Sequence, residues 1–158
     1  MALVHLRWAC EELLQRHADA RRMEESMMLT LDMIMAMDEE ALNVAIDRYC
    51  YGVKWKRVQD VWCRGRHYHA ETLERGWWMH EDDDPHRPPD GWHHDLDYAR
   101  HTVSWEKTMA LWWRYPVLLE PCGGQVSIQT GGALLVAAPT EHAVRVAICR
   151  LALWRALQ

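Results

Sequence analysis

Neither glycine nor proline occurs in the first 51 residues of the chain, and Gly52 is the first of either. These two residues are the strongest local breakers of a helix, so nothing in that stretch interrupts one. Its apolar residues also recur at helical spacing. Leu3, Leu6, Cys10, Leu13 and Leu14 share one face, with Arg7, Glu11, Glu12 and Arg16 off it. Met23, Met27, Leu31 and Ile34 repeat the pattern and Met35 continues it, while the polar residues 17–22 separate the two stretches. A helical hairpin over residues 1–37 is predicted. Its methionine-rich face needs cover from the rest of the chain or from a second copy, which points to a homodimer. Asp38 is a good N-cap for the next helix, because Glu39 and Glu40 then meet the positive end of its dipole. Leu42, Ala45 and Ile46 give that helix its apolar face, and Gly52 stops it.

Beyond Gly52 the period changes. Val53-Lys54-Trp55-Lys56 alternates apolar and basic, as a strand does. Residues 64–76 are mixed and take no element. Residues 79–91 hold Pro85, Pro88 and Pro89 beside a charge run, the pattern of a mobile, solvated loop. A helix is predicted over residues 102–114, with Trp105, Met109 and Trp112 on one face and Pro116 beyond its end. Gly131-Gly132 between two apolar runs marks a β-hairpin, since tight turns between twisted strands need positive φ. Thr140 caps a last helix whose inner stripe is Val144, Ala147, Ile148, Leu151 and Trp154, with Arg145, Arg150 and Arg155 to solvent. The reading is an α+β domain over residues 38–158: a small, mostly antiparallel sheet covered by helices, preceded by the helical hairpin and carrying an acidic, histidine-rich loop near residues 79–97.

Composition narrows the function classes. The 158 residues are 49% hydrophobic and 26% charged, a mix that builds a core without disulfides or metal. A net charge of −5 argues against direct nucleic-acid binding. No apolar run is long enough for a membrane helix and the first residues lack the pattern of a signal peptide, so a soluble, intracellular protein is expected. Five cysteines without a CxxC pair are poor material for a disulfide framework or thiolate zinc site. Ten tryptophans and nine methionines with no phenylalanine imply a Trp- and Met-filled core, part of whose aromatic set is free to form a binding face.

The order of elements resembles the phage ABA sandwich domain, a family of small bacteriophage proteins. Residues 42–47 leading to Tyr51-Gly52-Val53-Lys54-Trp55 are similar to its opening helix and Trp-rich strand. Pro88-Pro89, Tyr98 and Trp105 resemble its middle, and Thr140 with residues 146–153 its capped final helix. The resemblance spans about residues 39–158. It implies a phage origin and action in the host cytoplasm, and carries no catalytic residues.

The densest chemical cluster is histidine-rich. Cys63, His67 and His69 are close in sequence, with both imidazoles on one face of an extended strand, and His93 follows among further histidines and aspartates. Imidazole with thiolate or carboxylate suits zinc, although no HExxH or other fixed ligand spacing is present. GxSxG and phosphate-loop motifs are absent. Lys54, Lys56, Arg57, Arg64 and Arg66, interleaved with Trp55 and Trp62, form a local basic-aromatic patch. The reading is a non-enzymatic accessory protein, without cofactor, that binds and inhibits a host protein or ribonucleoprotein complex, a CRISPR-type defence effector foremost. Trp77, Trp78, Glu81, Asp82, Asp83 and Asp84 are the expected partner face, aromatic anchors beside an acidic run. The alternatives are a metal-dependent enzyme on the Cys/His/Asp cluster and a self-associating phage structural or regulatory protein.

Overall fold

Side-chain caps set where the helices begin. In the computed structural model, which describes residues 29–89 and 100–158, Thr30 starts α1 (Leu31–Ala36) and Asp38 starts α2 (Glu39–Ile46). Asp38 Oδ1 accepts from the Ala41 N–H at 2.8 Å. A π-helical turn, Asp47–Tyr51, continues α2 as far as Gly52. The expected hairpin over residues 1–37 lies outside the described residues except for its end, α1, whose Ile34 is fully buried in the main core.

The strands follow in antiparallel pairs. β1 (Trp55–Val58) pairs with β4 (Trp77–His80), and β2 (Asp60–Cys63) with β3 (Arg66–His69). After α3 (Trp105–Arg114), strands β5 (Leu118–Cys122), β6 (Gln125–Thr130) and β7 (Ala133–Ala137) form a three-stranded meander. Helix α4 (Glu141–Ala156), capped by Thr140, closes the order. The fold is α+β with antiparallel pairing throughout the described residues, but the strands form three small sheets.

Helix α4 is covered on two sides, so its apolar residues form more than one stripe. Cys149, Ala152 and Leu153 pack with Ile34, Leu42, Ile46, Cys50 and Leu111. Ala147, Ile148 and Leu151 pack on Val117, Ile128, Ala133 and Ala137 of the meander. Val58, Val61 and Met79 form a separate small core between the two two-stranded ribbons.

Several sequence expectations shift for physical reasons. The first strand begins at Trp55, because the Val53 N–H is taken by the Asp47 carbonyl at 2.9 Å, closing the helix end. Helix α3 starts at Trp105, because Thr102 is buried in a paired contact with Asn43. There the Thr102 N–H donates to Asn43 Oδ1 at 3.2 Å, and Asn43 Nδ2 donates to Thr102 Oγ1 at 3.1 Å. Residues 64–76 contain a strand and a 3₁₀ turn, and Met79 and His80, expected in a loop, end β4. The α4 arginines do not simply point to solvent. Arg145 donates to the Thr102 carbonyl at 3.0 Å, Arg150 to that of Met37 at 3.1 Å and Arg155 to Thr130 Oγ1 at 3.0 Å. Their stems cover apolar surface while their heads satisfy oxygens left at loop and strand ends.

One buried carboxylate joins the helical core to the ribbons. Asp47 accepts from Trp55 Nε1 and from His101 Nε2, both at 2.7 Å, and Asp47 and His101 are 7% and 6% exposed. Replacing Asp47 by alanine would take the acceptor from a buried and a half-buried N–H, a loss of about 2–5 kcal/mol. Chemical denaturation of Asp47→Ala should show it, whereas Asp82→Ala, on an exposed turn, should stay within about 0.5 kcal/mol of the parent.

Candidate docking surface and histidine cluster

The acidic run is a turn with a fixed backbone. Lys56 Nζ donates to the Glu81 carbonyl at 2.8 Å and to that of Asp83 at 2.5 Å. The Glu81 N–H reaches the Lys54 carbonyl at 2.9 Å, and the Trp62 N–H reaches that of Pro85 at 2.9 Å, clipping the turn to β1 and β2. Asp84 caps the bend by accepting from the His86 N–H at 2.9 Å. Residues 81–84 therefore spend their backbone groups inward, and the side chains of Glu81, Asp82 and Asp84 remain exposed. The expectation of a mobile loop is corrected for these residues, while residues 90–97 and His93 lie outside the described ones.

The two tryptophans before the turn are half-buried and occupy opposite faces of the β1–β4 ribbon. Trp78 donates its indole N–H to Glu40, which also pairs with Arg57, and the Arg57 guanidinium lies 4.6 Å from the Trp78 ring centre. The stack and shared carboxylate fasten β4 against α2. Trp77 turns the other way, edge-on to Tyr68 and against the small core. Trp62, 37% exposed, stands beside the turn and stacks on His86 at 4.2 Å and on His67 at 4.4 Å. The basic patch seen in sequence is largely consumed: Lys56 holds the turn, Arg57 holds Glu40 and Lys54 lies 3.9 Å from Glu81.

The strand register sorts the metal candidates. Asp60 lies opposite His69, Trp62 opposite His67, and Cys63 opposite Arg66. Alternation puts Asp60, Trp62, His67 and His69 on one face, and Cys63 with Val61 on the other, against the small core. His67 and His69 thus come together as expected, but Cys63 does not join them. Asp60, which the sequence reading missed, does: its Oδ1 lies 2.8 Å from His67 Nε2 and 2.6 Å from His69 Nδ1. The hydrogen bonds from His69 and then His67 hold the Asp60 carboxyl below the usual aspartate range. The sign that would have found it is the pair of extended runs flanking Arg64-Gly65. Both turn residues take positive φ, +51° and +74°, and close the hairpin. An arginine in that role hides the turn from composition.

Two of the four described thiols are buried and poorly suited as nucleophiles. Burial pushes the Cys50 and Cys149 thiols up to about 12. Comparison with protein-family models, with curated proteins and with solved structures finds no match for this chain. No helix among the described residues is long and apolar enough to cross a membrane.

The thiols give a direct check of the core assignments. At pH 8 the two buried thiols should hold a thiolate population about a thousandfold smaller than an ordinary cysteine. Iodoacetamide followed by peptide mapping should label exposed Cys122 well before Cys50 and Cys149. Equal rates in the folded protein would place those two side chains outside the core.

Proposed function

We propose that this chain is a non-enzymatic phage accessory protein that binds and inhibits a host factor, with a nucleic-acid-guided defence complex as the target class. The observation that supports this reading is the acidic turn, whose backbone is held by Lys56 and by β1 and β2 while its carboxylates face outward. A turn already ordered loses little entropy when a partner binds it. Clustered carboxylates on such a turn match a basic groove shaped for phosphates, and they would steer approach to it. Trp62 at the side of the turn offers exposed aromatic area to the contact, while Trp77 and Trp78 behind it anchor the turn to the small core and to α2. Action in the host cytoplasm follows from that target.

The test is competition between this protein and target DNA for purified guide-RNA effector complexes, read as association and dissociation rates at several salt concentrations. The wild-type protein should displace DNA from its target effector. Changing Asp82, Asp83 and Asp84 together to asparagine should slow association about tenfold at low salt and flatten its salt dependence, with an unchanged melting temperature. If wild-type protein leaves DNA binding untouched across the effector classes, the inhibitor reading fails. If the triple variant binds with unaltered kinetics, the turn is not the docking face.

A second reading, self-association, draws on the meander. Leu118, Leu134 and Val136 are exposed on the sheet face away from α4, and β7 is an edge strand of alanine, leucine and valine without charge or proline. Among the described residues such an edge carries none of the usual charge or proline protection against pairing with another strand, so antiparallel β7–β7 pairing would join two copies. Sedimentation at micromolar concentration should show a dimer that Leu134→Lys disperses. A wild-type monomer there would remove this reading.

A further inference from the structure

We propose that the outer face of the β2–β3 hairpin is a binding site for a divalent transition metal of the imidazole-preferring kind, zinc foremost, held by Asp60, His67 and His69. The proposal is independent of the docking reading, since it uses none of the acidic-turn carboxylates. Its basis is geometric. Asp60 stands directly across from His69 and diagonally across from His67, so three donor side chains leave one small patch of sheet on the same side. One ligand atom from each can be chosen so that all three lie within 4.8 Å of one another. A tetrahedral zinc with bonds of about 2.0–2.1 Å sets its donors about 3.3 Å apart. The Asp60 oxygen sits 2.8 Å and 2.6 Å from the two nitrogens, closer than that separation, so it would swing outward from both to admit the ion.

The donors are also prepositioned. The His67 ring is stacked 4.4 Å from Trp62, which itself stacks on His86. The open end of the hairpin is fixed by the Ala70 N–H on the Gln59 carbonyl at 2.9 Å, and by Gln59 Nε2 on the Ala70 carbonyl at 2.8 Å. An ionised carboxylate only accepts, so both imidazoles present an N–H to it; to bind metal at His67 Nε2 and His69 Nδ1, each neutral ring would carry its one proton on the other ring nitrogen. Two imidazoles and a carboxylate suit zinc, nickel or iron(II) rather than magnesium or calcium. Three protein donors leave a coordination position open to water or to a donor from a partner. The side chains are 39–57% exposed, so the ion would enter directly from solvent and exchange readily.

The test uses the full chain without an affinity tag. Zinc chloride is titrated by calorimetry and by competition against a chromogenic zinc chelator, and magnesium chloride serves as the control. Zinc should bind, magnesium should not, and Asp60→Asn, His67→Gln and His69→Gln should each weaken zinc binding at this site tenfold or more. His93→Gln with His94→Gln should leave it unchanged. In the wild-type chain, nitrogen-detected NMR should show His67 Nε2 and His69 Nδ1 shifting on zinc addition, a readout that stands even if a variant unfolds. Absence of zinc binding, its survival in the His67→Gln/His69→Gln double variant, its loss in the His93/His94 variant, or unmoved His67 and His69 resonances would each overturn the assignment.

Discussion

Asp47 ties three separate segments of the chain together. It sits where α2 passes into a π-helical turn, and its two oxygens reach Trp55 at the start of β1 and His101 ahead of α3. The His101 contact is buried and the Trp55 contact partly so, and charge-assisted hydrogen bonds in such surroundings are stronger and more directional than exposed ones. The π-helical widening is part of the device, because it completes the helix end at which the Asp47 carbonyl also takes the Val53 N–H. Tyr51, one turn on, stacks nearly parallel on His101 at 5.4 Å and holds that ring against the carboxylate. Through Asp47 the end of α2 is thus registered against both β1 and the segment ahead of α3.

Glu40, two helical turns earlier on the same face, repeats the arrangement, binding Arg57 and Trp78 from the two strands of the first ribbon. The ribbons are short, and a two-stranded sheet has little stability of its own in water. Polar clamps to α2 on one face and the Val58–Val61–Met79 core on the other supply what is missing. Gly76 shows how tight the fit is, since a Cβ there would lie 2.3 Å from the Val58 carbonyl oxygen. The acidic turn hangs from this assembly, so its shape is inherited from β1 and β2 rather than from its own composition.

Legibility in the sequence tracked how local each signal was. Caps at Asp38 and Thr140 were readable because a cap acts over three residues, and Ala41 and Ala143 donate to them as expected. Strand β5 was missed because Pro121 argues against a central strand; β5 lies on the sheet edge, where a missing N–H is tolerated. The candidate site was half legible. His67 and His69 at a spacing of two were visible, but pairing Asp60 with them rather than Cys63 required the register of a hairpin closed by Arg64-Gly65.

By itself the sequence determined the α+β class, the capped starts of α2 and α4, the Gly131-Gly132 hairpin and one of the two buried stripes of α4, all of which follow from period and capping along the chain. Tertiary structure alone decided that the strands split into three sheets, that the acidic run is a fixed turn, and which side chains surround each histidine. Those outcomes depend on contacts between distant positions, such as Lys56 with Asp83 and Asp47 with His101. A lysine has the same propensity whether it points at solvent or at a carbonyl 27 residues away, and only the folded chain distinguishes the two.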